Sequence, residues 1–153
     1  MLINISLTQR VRYSGLTAVI TTIEWSLIVI KGQATFPVPD KPKTPKGRSE
    51  AVYLLEVFAK RCGQNLATDI KELQTLTQVR NCVVHSAGRI ETYEFLNELR
   101  QALQGHVGIK LSNSNFLGES IEVAEGYLQS VIERAKTWLP ALEKAMRQQG
   151  LLR

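Results

Sequence analysis

The chain is poor in the side chains that most often carry chemistry: of its 153 residues, two are histidine and two are cysteine. Cys62 and Cys82 form no CxxC pair and have no histidine beside them. A zinc site needs four ligands at regular spacing, and none is offered here. A disulfide scaffold is excluded on the same count, so both thiols are expected reduced and partly buried, as in a cytosolic protein. Proline is confined: four of the five fall in "FPVPDKPKTPKGR", and the fifth is Pro140. Internal repeats and low-complexity tracts are missing. The longest apolar run, "LTAVITTIEWSLIVI" over residues 16–30, is shorter than the roughly 20 residues a membrane span requires and holds Glu24. Lys31, Gly32 and Gln33 follow it, with no small-residue cleavage pattern, so it reads as a core helix and neither a membrane nor a signal segment is expected.

Hydrophobic residues make up 44% and charged residues 22%, which is globular rather than disordered usage, and the length suits one domain. A net charge of +5 biases the surface mildly towards polyanions, although an ordinary solvated surface carries the same number. The patterning is helical nearly throughout. A first helix is expected over residues 6–31, then an extended Pro-rich segment whose Lys41, Lys43, Lys46 and Arg48 could touch phosphates or simply be solvated. Ser49 can cap a second helix carrying Val52, Leu55, Phe58 and Cys62, stopped by Gly63. Asn65 can cap a third, with an apolar stripe from Leu66 to Val83 and Gly88 as its left-handed terminus. "ETYEFLNELRQAL" reads as a short fourth helix and "HVGIKLS" as a brief extended piece. A last helix is expected after Ser112 and Ser114, with Ile121, Ala124, Leu128, Val131, Ala135, Trp138, Leu142 and Met146 on its stripe, kinked or ended by Pro140. The fold class is all-α, a bundle of four to five helices.

The chemistry-bearing residues gather near the end of the third helix, in "LTQVRNCVVHSAGRI". Asn81 and His85 are one turn apart and share a face, whereas Arg80 lies about 140° from His85 around the helix. One copy is a poor clamp; two copies meeting at a two-fold axis make a better one. His85 stands in the last turn, where partial negative charge on the terminal carbonyls attracts a cation. Two such histidines could divide the work of base and acid. Paired with an arginine that stabilises a phosphoryl group, they suit metal-free cleavage of RNA through its 2′-OH, to which DNA is inert. The bland reading of the same residues is a favourable end charge and a surface arginine.

Arg80-Asn81-x-x-x-His85 followed by Ser86, Ala87 and Gly88, in this order of helices, resembles the HEPN (higher eukaryotes and prokaryotes nucleotide-binding) superfamily over roughly residues 5–140. The resemblance implies a homodimeric bundle whose motif helices meet at the dyad. It also implies metal-independent endoribonuclease activity without a cofactor, with RNA as substrate and Arg80, Asn81 and His85 as catalytic residues. Many such proteins are toxins with an antitoxin or regulatory partner, or antiphage effectors, and a cytoplasmic location follows. Glu24 is a candidate for the acidic residue that some members present from the first helix. A buried structural pairing of Glu24 with Arg80 would look alike. Two other classes stay open: a non-catalytic HEPN module that binds protein or nucleotide, and a nucleic-acid binder acting through the 41–48 segment. Cys82 is expected as a small packing residue and His106 as a loop residue.

Overall fold

A computed structural model of the chain describes residues 2–43, 49–114 and 118–153, with residues 2–6 and Ser114 described by backbone alone. Lys46 and Arg48, two of the four cations expected on the Pro-rich segment, lie outside the described residues; Lys41 and Lys43 are exposed. In chain order the elements are α1 (Leu2–Gln33), α2 (Glu50–Cys62), α3 (Ala67–Ser86), a 3-10 turn (Ile90–Thr92), α4 (Leu96–Leu103), β1 (Ile109–Ser114), β2 (Gly118–Val123) and α5 (Tyr127–Gln148). Helix accounts for about 67% of the described residues, so the fold is mainly α, with one hairpin among them beyond the expected bundle. Two compact units divide it: residues 1–20 with 75–131, and residues 21–74 with 132–153.

In the first unit the core gathers Leu16, Ile20, Val79, Cys82, Ile90 and Leu99 with the inward side chains of the hairpin. The hairpin is antiparallel, Ile109 opposite Val123 and Leu111 opposite Ile121. Ile121 and Val123 are buried while Ser120 and Glu122, which alternate with them, are half-buried, the period-two signature of a strand with one core face. Here the structure corrects the sequence. Ile121 belongs to a strand and Ala124 to the turn after it, Ser112 and Ser114 lie in β1, and the last helix begins only at Tyr127. Their three- and four-residue spacing fitted a helix because Ile121, Ala124 and Leu128 obey that count by coincidence.

The expected fourth helix is likewise broken. Tyr93 has extended backbone (φ −89°, ψ 130°) between the 3-10 turn and α4. In an unbroken helix Tyr93 and Leu99 would stand about 240° apart; the break restores phase so that both are buried.

In the second unit, the Ser49 hydroxyl accepts the Val52 N–H at 3.1 Å and caps α2, whose end is closed by Gly63 at φ 68°. Phe58, Leu54 and Leu55 of α2 are fully buried. The chain's last residues close against the segment after α1: the Thr35 N–H donates to the Leu151 carbonyl at 3.0 Å and the Arg153 N–H to the Gln33 carbonyl at 2.9 Å. Pro140 neither ends α5 nor its packing, since Leu142 and Met146 beyond it are buried. Pro140 and Lys136, whose carbonyl the missing N–H would have met, both lie on the exposed side, where water can satisfy that oxygen.

Candidate functional site at the end of the third helix

The last turns of α3 are held from beneath by aromatic and strand contacts of the first unit. Ala87 and Gly88 both take left-handed backbone (φ 51° and 80°), so the chain reverses within two residues of Ser86. The Gly88 N–H donates to the Cys82 carbonyl at 3.2 Å and the Arg89 N–H to the Ser86 carbonyl at 2.8 Å. From the hairpin, the Ile121 N–H donates to the Gly88 carbonyl at 2.9 Å, and Arg89 bridges Ser120. The Tyr13 hydroxyl donates to the carbonyl of Ile121 from the α1 side. A Cβ on Gly88 would stand 2.6–2.8 Å from the Tyr13 hydroxyl and ring, which is why glycine is needed there. The helix end is therefore fastened by backbone bonds on both sides, and its outer residues project from a fixed platform.

Each predicted residue has a distinct placement on that platform. His85 is exposed, with exposed Val84 (57%) beside it. Asn81 is half-buried, and its side chain hydrogen-bonds the hydroxyl of buried Tyr93. Arg80 is half-buried with its Nε buried. On one helix, a separation of five residues puts Arg80 about 7.5 Å along the axis and about 140° around it from His85. α3 therefore brings Asn81 and His85 to one side and sends Arg80 to another, so the three do not converge through the helix alone.

Beneath them, Cys82 is fully buried and burial pushes its thiol up to about 11; burial likewise pushes the Tyr13 phenol to about 12 and raises Tyr93. These three form a neutral, uncharged floor, and Cys82 is the packing residue expected. Tyr13 was not singled out by motif reasoning; its only sequence signal was its spacing among apolar residues. Glu24 lies half-buried on the part of α1 that belongs to the second unit.

His106 ends up half-buried after α4, its Nε2 3.5 Å from the Tyr127 hydroxyl with the rings edge to face. It borders an open depression of about 500 Å3 with Arg100, Gln104 and Lys110. Both cations there are engaged, Arg100 by Glu119 and Lys110 by Glu122 at 3.4 Å, so the depression presents little free positive charge to an anion. Among the described residues no three His, Cys, Asp or Glu side chains gather closely enough to hold a metal ion.

Charge is distributed unevenly between the units. The one bearing the motif has six basic and six acidic residues, whereas the other has thirteen basic and eight acidic, so the whole surplus of +5 belongs to the unit without the motif. Comparison with protein-family models, with characterised proteins and with solved structures finds no match for this chain.

Proposed function

We propose that the chain is a HEPN-type helical protein that acts as a homodimer and cleaves RNA without a metal or cofactor. His85 serves as general base and acid, Arg80 stabilises the phosphoryl group, and Asn81 orients the site. The observation that carries this reading is the exposed imidazole of His85 on the last turn of a helix whose end is fastened on both sides. Because Arg80 faces another way on the same helix, the site must draw one of the two groups from a second copy. A neutral imidazole removes the ribose 2′-OH proton as that oxygen attacks phosphorus; the 5′ oxygen leaves with a proton from the partner's imidazolium. The products are a 2′,3′-cyclic phosphate and a 5′-OH end, and arginine offsets the charge that builds on the phosphoryl oxygens. A cytoplasmic toxin or antiphage effector, restrained by an antitoxin or regulatory protein, is the setting such an activity fits.

A second reading, a non-catalytic module that binds protein or nucleotide, is favoured by two findings: Tyr93 already engages Asn81, and the motif-bearing unit has no surplus positive charge. Cleavage of a labelled single-stranded RNA in EDTA separates the two, with wild type compared with His85→Ala and Arg80→Ala at matched folded concentration. The first reading expects cyclic-phosphate products from wild type, a loss of at least roughly 100-fold in either variant, and an inert 2′-deoxy substrate. No cleavage by wild type across several RNAs leaves the second.

A further inference from the structure

The hairpin of the first unit has two edges, and the chain closes only one of them. On β2 the backbone groups of Glu119, Ile121 and Val123 point away from β1. The Glu119 N–H donates to the Glu91 carboxylate at 3.0 Å, the Ile121 N–H to the Gly88 carbonyl at 2.9 Å, and the Val123 N–H to Oε1 of Gln9 at 3.0 Å. The Tyr13 hydroxyl and the Arg12 guanidinium donate to the Ile121 and Val123 carbonyls. On β1 the register turns Ile109, Leu111 and Asn113 outward: the Ala124 N–H donates to the Gly108 carbonyl, which assigns the even-numbered residues to the bonds of the hairpin. No third strand joins β1, and among the described residues no backbone group pairs with these three. Ile109 is 1% exposed and forms a closed end, whereas Leu111 is half-buried and Asn113 exposed. β1 also lacks the usual protections of an edge. It holds no proline, it pairs from 109 to 114 without a bulge, and its one charge, Lys110, is engaged by Glu122.

The open depression beside His106 lies along this edge. Ile109 and Leu111 face one side of the hairpin and Lys110 the other, yet all three line it, and no residue of β2 does. Its far wall is α4, through Arg100, Leu103 and Gln104. We infer that this edge of β1 takes an uncharged, extended segment of another protein as an added antiparallel strand. Such a strand exchanges N–H and C=O with Leu111 and Asn113, a mode of recognition in which the backbone gives affinity and alternate side chains give selectivity. About five residues, at roughly 3.4 Å each, reach from opposite Lys110 to opposite Ser114. The two that stand opposite Leu111 and Asn113 turn to the core face, where Leu111 packs on the cluster holding Leu103 and Ile109, and apolar side chains fit there. The others turn to the face of Lys110 and Ser112, which suits hydroxyls. Charge selects among segments: Arg100 and Lys110 already have Glu119 and Glu122, so a carboxylate gains little and an incoming cation meets positive charge. Gly108 fixes the start of the strand, since at φ 99° it lies where a Cβ would overlap the Tyr127 ring, and a rigid edge leaves little to be ordered on binding. A second β1 paired about Leu111 is the competing occupant, but it would set Asn113 against a buried Ile109. The inference concerns protein binding alone and stands or falls apart from RNA cleavage.

The test is proton–nitrogen NMR of the full chain with the capped peptides TVTVT, TLTLT and TFTFT. An analogue of each, N-methylated at its two apolar residues, lacks the donors that would meet β1, and EVEVE tests the choice of charge. In the free chain the Leu111 and Asn113 amides are expected to exchange with solvent at least roughly 10-fold faster than those of Lys110 and Ser112, which bond to β2. At least one peptide is expected to shift the Leu111 and Asn113 amides saturably, with Kd below about 1 mM, and its N-methylated analogue to bind at least roughly 10-fold more weakly. No saturable shift by any of the three up to about 5 mM overturns the inference, and so does an analogue that binds as well as its parent. Tighter binding of EVEVE than of TVTVT overturns the uncharged partner. If the two amides become protected as the chain alone is concentrated, a second copy holds the edge and the inference is overturned.

Discussion

Two adjacent residues just after His85 should respond to substitution in opposite directions. Ala87 holds φ 51°, where an L side chain costs about 1–2 kcal/mol, while Gly88 holds φ 80° beneath the Tyr13 ring. Ala87→Gly removes that cost and returns part of it through the added freedom of the unfolded chain, leaving a net gain of about 0.5–1 kcal/mol. Gly88→Ala meets the backbone penalty and also sets a methyl 2.6–2.8 Å from Tyr13 atoms. Neither partner can retreat easily. Tyr13 is buried and bonded to the Ile121 carbonyl, and the Gly88 backbone is bonded to Cys82 on one side and Ile121 on the other. Overpacking of this kind costs about 1–3 kcal/mol, so the total loss should be about 2–5 kcal/mol, or roughly 5–20 °C in Tm for a chain of this size. Urea titrations read both variants. Tyr13→Leu in the Gly88→Ala background should recover part of the loss, with a coupling of at least about 0.5 kcal/mol. A neutral Gly88→Ala, a destabilising Ala87→Gly or strict additivity in the double variant would each refute the account of the helix end.

Alkaline pH should loosen the same region. Burial raises the Cys82 thiol from 9.0 to about 11 and the Tyr13 phenol from 10.0 to about 12. Between those values the unfolded chain has released protons that the folded chain retains. Stability is therefore complete below pH 9 and falls as pH rises, at about 1.4 kcal/mol per pH unit while Cys82 alone contributes. Thermal melts at pH 8 to 11 check this, and Cys82→Ala should flatten the slope between pH 9 and 10; an unchanged slope would remove Cys82 from the explanation. Tyr93→Phe keeps the ring packed edge-on to Phe95 while releasing the Asn81 amide. It should cost about 1 kcal/mol in urea unfolding. If Asn81 orients the site, cleavage falls by more than the stability change explains, and equal activity in folded protein would make Asn81 a structural residue.

Much of the helical scaffold was legible because its punctuation is local. Ser49 and Gly63 announce both ends of α2, and Gly88 announces the end of α3, through preferences that act within four residues. The hairpin was half legible: "GIKLS" showed its alternation, but the strand opposite begins in Gly118-Glu119-Ser120 and its Ile121 fits a helical count as well as a strand count. Only pairing with Ile109 and Leu111, a contact outside the reach of local pattern, decides between the two. Tyr13 is the clearest case of what stayed hidden. It lies 75 residues before Gly88, and nothing near it in the chain tells that its ring dictates a glycine there.

The same limit governs the candidate site. The spacing of Arg80 and His85 marked one copy as a poor clamp for a phosphate, and the structure adds that Gly88, Arg89 and Tyr13 fasten the helix end. If the motif is to act as one site, convergence has to come from a second chain, and the chemistry then depends on a surface the motif does not contain. The unit carrying the motif is also electrically balanced, while exposed lysines such as Lys41, Lys43 and Lys60 belong to the other. Attraction of a polyanion through released counterions would thus arise mainly outside the candidate motif. If the proposed chemistry holds, capture and cleavage rest on different residues, and His85→Ala can abolish cleavage while RNA capture stays measurable.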